Sequence, residues 1–308
     1  MAGEFSGSDL PSVAQARMAG IRESGTWGSS LSTQEFAAIR SAGFEPAGQV
    51  LGAAVYNVGY TGGYGCPGGW SSGFLGGSIA ATTQLSSGTE WSSFGPLART
   101  MYEARRKAIT RMTEECLALG GHGIVGVQLT IGRFPAGGLE FKAIGTAVRG
   151  VGAAAPPRPF SSDLSGQEFG KLIMAGWVPV ALVLGISIAA RHDDWATRSA
   201  TRWGAGNNEV AGYTELVNMA RHDAREELES DVHRYGGDGV VIATNHLHVS
   251  HRECPAQDSR RDHIAEVTII GTAIARFADG PGSAPPNVLA VLSLDPQRRQ
   301  AARVRLGS

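Results

Sequence analysis

Residues 31–52 read LSTQEFAAIRSAGFEPAGQVLG, and residues 164–185 read LSGQEFGKLIMAGWVPVALVLG. The two stretches match without a gap at eleven of twenty-two positions, including Gln34/Gln167, Glu35/Glu168, Phe36/Phe169, Gly43/Gly176 and Pro46/Pro179. Two further blocks follow in the same order. Gly120-Gly121-His122-Gly123-Ile124-Val125 is echoed by Gly236-Gly237-Asp238-Gly239-Val240-Val241, and Ile144-Gly145-Thr146-Ala147 by Ile270-Gly271-Thr272-Ala273. Three ordered blocks in each half make the chain a tandem duplication.

Comparison of the copies predicts the elements. Ser32 with Glu35, and Ser165 with Glu168, have the spacing of a capping box, so a short helix starts at each. A long helix is expected from about Pro96 to Leu119 and from about Tyr213 to Tyr235. Its inward stripe is Ala104/Ala220, Ala108/Ala224, Met112/Leu228, Cys116/Val232 and Leu119/Tyr235, at helical spacing. The Gly-Gly pair after it supplies a left-handed cap. Ile124–Ile131 and Val240–Val249 then read as strands, with Phe141–Val148 and Val267–Ile274 as antiparallel partners. The predicted fold class is α+β: two tandem two-layer α/β units, each an antiparallel sheet packed on one long helix. One helix layer leaves a sheet face uncovered, so pairing of the repeats or assembly into a ring is expected.

The expected organisation is an N-terminal arm over 1–30, a first repeat over 31–150, a linker over 151–163, a second repeat over 164–278 and a tail over 279–308. The arm contains a short helix from Pro11 to Arg22. One stretch, AGWVPVALVLGISIAA at 175–190, is apolar enough to suggest a membrane, but it is short and contains Pro179. Its partner in the first copy carries Glu45, Gln49 and Asn57, so a buried strand pair is expected and no membrane insertion.

Composition narrows the class further. The 308 residues include 43 glycines, about twice the usual share, without the every-third-residue period of collagen. A hydrophobic content of 42% and a charged content of 18% exclude a disordered charged tail protein. A net charge of −1 gives no global reason to bind nucleic acid, and none is expected as a partner. Three scattered cysteines and no secretory leader point to a reducing cytoplasm. Of 27 basic residues only Lys107, Lys142 and Lys171 are lysines, a bias that fits GC-rich coding.

The helix and turn ARRKAITRMTEECLALGGHGIVGVQL, followed by a strand ending in AIGTAV, resemble the YbjQ-like family, which is named for heavy-metal binding. ARHDAREELESDVHRYGGDGVVIAT with IIGTAI resembles it equally, so the likeness covers about 31–150 and 164–276. The resemblance implies small sheet-and-helix units in ring-forming homo-oligomers, typically pentamers, and no catalytic residues. Five chains would give two stacked five-membered rings, and three chains one six-membered ring; five is the favoured number.

Two groups of residues are candidate sites. Seven of eight histidines fall in the second repeat. His246, His248, His251, Cys254 and His263 form a set that would offer imidazole and thiolate ligands to Zn or another transition metal, although no standard metal spacing is met. His246 and His248 share one face of a strand, and an exposed hairpin of soluble residues explains the same pattern. The second group lies in the first copy only, where nine of nineteen residues from Gly59 to Gly77 are glycine. Tyr60, Tyr64, Cys66, Trp70 and Phe74 interleave this run as an interaction loop; no phosphate-loop pattern accompanies it.

Other features carry weaker readings. Cys116 is expected to be buried, and Trp177, at the Phe44 position, to be core. Trp195 and Trp203 in a connecting loop would stack a flat ligand such as a flavin, and His192, Asp193 and Asp194 would offer a cation site or a solvated turn. Glu226, Glu227, Glu229 and Asp231 read as a solvated helix face, and no paired carboxylates are expected to recur in both copies. In the tail, Val288–Leu292 would add a strand to a neighbouring edge, while Arg298, Arg299, Arg303 and Arg305 would hold an acidic partner or lie in solvent. No nucleophile signature is present, so the expectation is a non-enzymatic assembly or interaction protein. A metal-binding protein using the histidine hairpin is the alternative, and a binder of small aromatic ligands the next.

Overall fold

The computed structural model describes residues 10–57, 84–85, 95–134, 138–152, 156–253 and 261–276. The first half contains α1 (Ser12–Ser24), α2 (Thr33–Ser41), β1 (Phe44–Tyr56), β2 (Gln84–Leu85), α3 (Gly95–Ala118), β3 (Gly123–Phe134) and β4 (Gly138–Gly150). The second contains β5 (Phe160–Ser161), α4 (Gly166–Met174), β6 (Trp177–His192), α5 (Trp195–Ala200), α6 (Ala211–Arg234), β7 (Gly239–Glu253) and β8 (Arg261–Arg276). These strands form two four-stranded sheets, ordered β1-β4-β3-β5 and β2-β6-β8-β7.

The sheets repeat each other down to single residues. Phe44 pairs with Gly150 as Trp177 pairs with Arg276, and the register slips after Pro46 in β1 as it does after Pro179 in β6. Ile124 pairs with Ala147 as Val240 pairs with Ala273, and each strand has a second irregularity a few residues on. Ser32 and Ser165 each cap their helix in a complete capping box with Glu35 and Glu168. After the long helices, Gly120 and Gly236 take positive φ of 67° and 74°, the left-handed turn expected of the Gly-Gly pairs.

One long helix covers one face of each sheet. Ala104, Ala108, Met112 and Cys116 of α3 are fully buried against Val50, Phe141, Ala143 and Ala147. On α6, Ala220, Ala224 and Leu228 are fully buried, and Val232 nearly so, against Val183, Ala265, Val267 and Ile269. Alanine on the helix and glycine on the strand bring the two backbones together. A Cβ on Gly52 would overlap the Ala108 carbonyl, and one on Gly185 the Ala224 carbonyl, at matched positions.

Two expectations are corrected. The apolar run is one continuous 16-residue strand, β6, and not a strand pair. It is buried almost end to end because α6 covers one face while Leu97 and Met101 of α3 pack near Ile188 on the other. Trp177 is only partly buried, with the Arg276 guanidinium 4.9 Å from its ring centroid, so it lies at the margin of its sheet and not in a core. Among the described residues, no helix is long and apolar enough to cross a membrane.

Candidate assembly interface

The two sheets meet through a short strap, residues 160–164. β5 lies parallel to β3, with Phe160 opposite Gly123 and Ser161 opposite Ile124. Ser162 N donates to the Ile124 carbonyl at 2.9 Å, Val127 N to that of Ser162 at 2.9 Å, and Gly126 N to that of Leu164 at 2.8 Å. The same strap holds its own unit. Leu182 N donates to Ser161 Oγ at 3.0 Å, and the Ser162 and Thr272 hydroxyls are 3.0 Å apart. Thr272 in turn donates to the Asp163 carboxylate, whose pKa burial pushes up. The stretch expected as a linker over 151–163 therefore ends in a strand of the first sheet that is tied to the second by side-chain hydrogen bonds.

Aromatic packing closes the joint. Phe160 and Phe169 stack at 5.6 Å, and Phe44 meets Phe169 edge-on at 5.0 Å. Ile39, Val125 and Val148 complete this cluster from the first unit. Gly123 leaves the room that the Phe160 ring occupies: a Cβ there would overlap the ring. Beside it α4 lies on α2, with Gln167 donating to Gln34 at 3.0 Å and a Cβ on Gly166 unable to fit against Glu35.

One buried carboxylate stands at the matched position of each long helix. Asp231 is 4% exposed and Glu115 1% exposed. Leu184 N donates to Asp231 at 3.4 Å, and Leu51 N, its counterpart, to Glu115 at 2.7 Å. Each carboxylate thus satisfies a strand N–H, on β1 and on β6, and is paired with arginine from a neighbouring helix. Arg106 of α3 stands 3.2 Å from Asp231, and Arg17 of α1 pairs with Glu115. Asp231 is therefore a joint residue and not part of a solvated face. Tyr102 extends the contact, its hydroxyl accepting from Ile186 N at 2.6 Å. A cleft of about 510 Å³ lies along this seam, lined in part by Arg106, Leu117, Arg158, Leu182 and Asp231.

The histidines spread along the second sheet. His246 faces Thr268, His248 faces Glu266 and His251 faces His263 across the β7–β8 ladder. His246 and His248 are exposed, and His246 also lines a cavity of about 410 Å³ with Arg105 and Lys142. His251 and His263 have ring centroids 6.1 Å apart. His263 is engaged by Tyr213 at 3.0 Å and Asp193 at 3.2 Å. Among the described residues, no group of three or more His, Cys, Asp or Glu side chains is placed to hold a metal ion, and Cys254 lies outside them. His192, Asp193 and Asp194 also go separate ways. His192 bonds Asp262 at 2.7 Å, Asp193 faces His263, and Asp194 caps α5.

Cys116 is fully buried, donates to the Gly123 carbonyl at 3.4 Å, and has its pKa pushed up to about 12 by burial. Trp195 opens the short helix α5 and, like Trp203, is exposed; no ring stands beside either among the described residues. Tyr60, Tyr64, Cys66, Trp70 and Phe74 lie outside the described residues, as do Val288–Leu292 and the tail arginines.

The strap lies outside the repeat legible in the letters, which begins at Leu31 and Leu164, four residues after Trp27 and Phe160. Extended backwards, Trp27 matches Phe160 and Ser29 matches Ser162. The structure bears this out, with Gln49 N donating to the Gly28 carbonyl at 2.7 Å where Leu182 N meets Ser161.

Comparison with known proteins agrees with this architecture. The family model YbjQ_1, titled "Putative heavy-metal-binding", matches residues 71–150, which include α3, β3 and β4. The encapsulin nanocompartment protein Rv1762c of Mycobacterium tuberculosis (strain ATCC 25618 / H37Rv) is 34% identical over 292 residues, 92% of this chain and 97% of that protein. No solved structure matches the chain. With one likeness centred on the long helix of the first unit and the other running through both units, the chain is a YbjQ-like protein that belongs to one family with the M. tuberculosis encapsulin nanocompartment protein Rv1762c.

Proposed function

We propose that the protein is a non-enzymatic, cytoplasmic assembly protein that works as a homo-oligomer. The observation that carries this reading is the unfinished end of the second unit. Among the described residues β7 is an edge strand of 15 residues, with Val241 exposed where the matched Val125 of β3 is buried, and with Ile242 and Val249 exposed along the same strand. Exposed apolar edges of this length are templates for further chains. The M. tuberculosis relative is an encapsulin nanocompartment protein, which supports a role inside a larger assembly. The family resemblance adds five chains as the expected copy number. Native mass spectrometry of the untagged protein is expected to give a multiple of 32.1 kDa; a single 32.1 kDa species at micromolar concentration would overturn the proposal.

A metal role at His246, His248, His251, Cys254 and His263 is the second reading. It is favoured by two imidazoles, those of His246 and His248, on exposed positions of one strand face. Elemental analysis of the same untagged sample tests it, and metal-free protein that binds no Zn²⁺ on titration ends it.

A further inference from the structure

We infer that the outer edge of β7 is the socket for residues Trp27–Phe36 of a second copy of this chain, in the pairing that residues 160–169 make with β3 inside the chain. The inference rests on the assembly reading above and names the surface and its occupant. The chain carries two matched joints, one filled and one, among the described residues, empty.

The plug exists twice. Trp27 and Phe36 stack at 6.4 Å with an interplanar angle of 12°, as Phe160 and Phe169 stack at 5.6 Å and 16°. The Ser29 hydroxyl stands 3.2 Å from Thr146, as Ser162 stands 3.0 Å from Thr272. Leu31 N donates to Ser29 Oγ at 3.0 Å, as Leu164 N donates to Ser162 Oγ at 3.1 Å. Both straps are thus held by their own units in the same conformation. The 160–164 strap also spends its outer side on β3; the matched strap over residues 27–31 has no strand on its outer side among the described residues, and Trp27 is 39% exposed.

The socket also exists twice. Gly123, over which the Phe160 ring lies, has Gly239 as its counterpart. A Cβ on Gly123 would overlap that ring, whereas one on Gly239 would meet only Ile274, at 3.8 Å. Among the described residues no ring fills that space, and Trp27 is the aromatic residue that matches Phe160. Around it, Val125, Val148 and Phe44 of the filled joint correspond to Val241, Ile274 and Trp177. Val125 and Val148 are buried where Val241 and Ile274 are partly exposed, and Phe44 packs on the Phe169 ring, whereas Trp177 meets the Arg276 guanidinium. Gly126, at a φ of 64°, is Ile242 in β7, and Gly170 of α4 is Ala37 in α2, so the second joint carries larger side chains at both places.

Plug and socket lie on different surfaces of one chain, so the contact is heterologous and each copy offers one of each. Such contacts propagate head to tail and close into a ring or continue as a fibre.

Engineered disulfides test the register. Ser161 pairs with Ile124, which maps to Gly28 of one copy opposite Val240 of the next. A Cβ on Gly28 meets nothing within 4 Å, so cysteine fits there. Neighbouring strands bring paired Cα atoms within disulfide reach. In a Cys66→Ser, Cys254→Ser background, Gly28→Cys with Val240→Cys is expected to give a ladder of covalent oligomers on oxidation. The two single variants, mixed, should give dimers and nothing larger. An assembled protein that forms no cross-link, or Val240→Cys homodimers instead, would overturn this joint while leaving the assembly reading standing. A wild-type protein of single-chain mass would remove both. Val241→Asp, at a 37% exposed position, supplies the independent check. It should leave the circular dichroism unchanged and lower the oligomer fraction at least tenfold; an undiminished oligomer would overturn the joint.

Discussion

The closest approach in each unit is between a strand glycine and the helix backbone above it, and substituting that glycine gives a sharp test of the fold. A Cβ on Gly52 would lie 2.6 Å from the Met112 nitrogen and closer still to the Ala108 carbonyl oxygen. Neither obstacle is a flexible side-chain tip, so Gly52→Ala forces the 24-residue helix α3 away from β1. Overpacking a core costs about 1–3 kcal/mol where side chains can yield. Here a helix backbone must yield, and Ala104, Ala108 and Met112 lose contact together, so the expected cost is about 3 kcal/mol or more. Gly132→Ala is the control, because its Cβ would meet only the Glu140 carboxylate, at 3.9 Å. That exchange in an exposed strand is expected to be neutral or to stabilise by about 0.5 kcal/mol. Urea unfolding followed by far-ultraviolet circular dichroism reads both variants. A Gly52→Ala protein within about 0.5 kcal/mol of Gly132→Ala, on the scale of ordinary surface substitutions, would refute the close-packing argument.

Three further outcomes are expected. Asp231→Ala strands the Leu184 N–H on a covered edge and should cost about 1–3 kcal/mol in the same unfolding assay, with Glu115→Ala similar because it strands Leu51. Asp163→Asn should be more stable than the native protein at pH 7, and the difference should shrink as pH falls. Burial raises the folded-state pKa of Asp163, so the ionised form is penalised in the folded protein and protonation relieves it. Denaturation midpoints at pH 4 and pH 7 check the sign. Cys116, in a Cys66→Ser, Cys254→Ser chain, should react with a thiol reagent about a thousand-fold more slowly when folded than when unfolded. That follows because burial pushes the thiol up to about 12 from its ordinary 9.0 and the reagent needs thiolate; stopped-flow labelling with and without denaturant measures it.

Much of this fold was legible because duplication exposes constraint. Where both copies keep Ser32/Ser165 with Glu35/Glu168, or Ala108 with Ala224, the shared residue is one that the helix or its packing requires, and both readings held. The readings failed where residue type and environment part company. Asp231 sits among Glu226, Glu227 and Glu229 on a strongly charged helix, and composition cannot show that it points at the N–H of Leu184 on β6. The strap was hidden because one letter of four repeats, Ser29 with Ser162, beside an aromatic character kept at Trp27 and Phe160: Trp27-Gly28-Ser29-Ser30 against Phe160-Ser161-Ser162-Asp163. For the histidine set, the letters give spacing along the strand, and the ladder adds the neighbours across it: Thr268 opposite His246, Glu266 opposite His248 and His263 opposite His251.

The strap at 160–164 has one more consequence. It follows β4 across residues 151–159, so the union of the two sheets is a loop closure within one molecule. Tethering of this kind holds the partners at an effective concentration in the millimolar range, whatever the protein concentration outside. Diluting the protein therefore leaves that union untouched and strips only contacts between chains. Assembly has a fixed order: the two-unit chain is complete before any second chain arrives, and disassembly stops at the same two-unit piece.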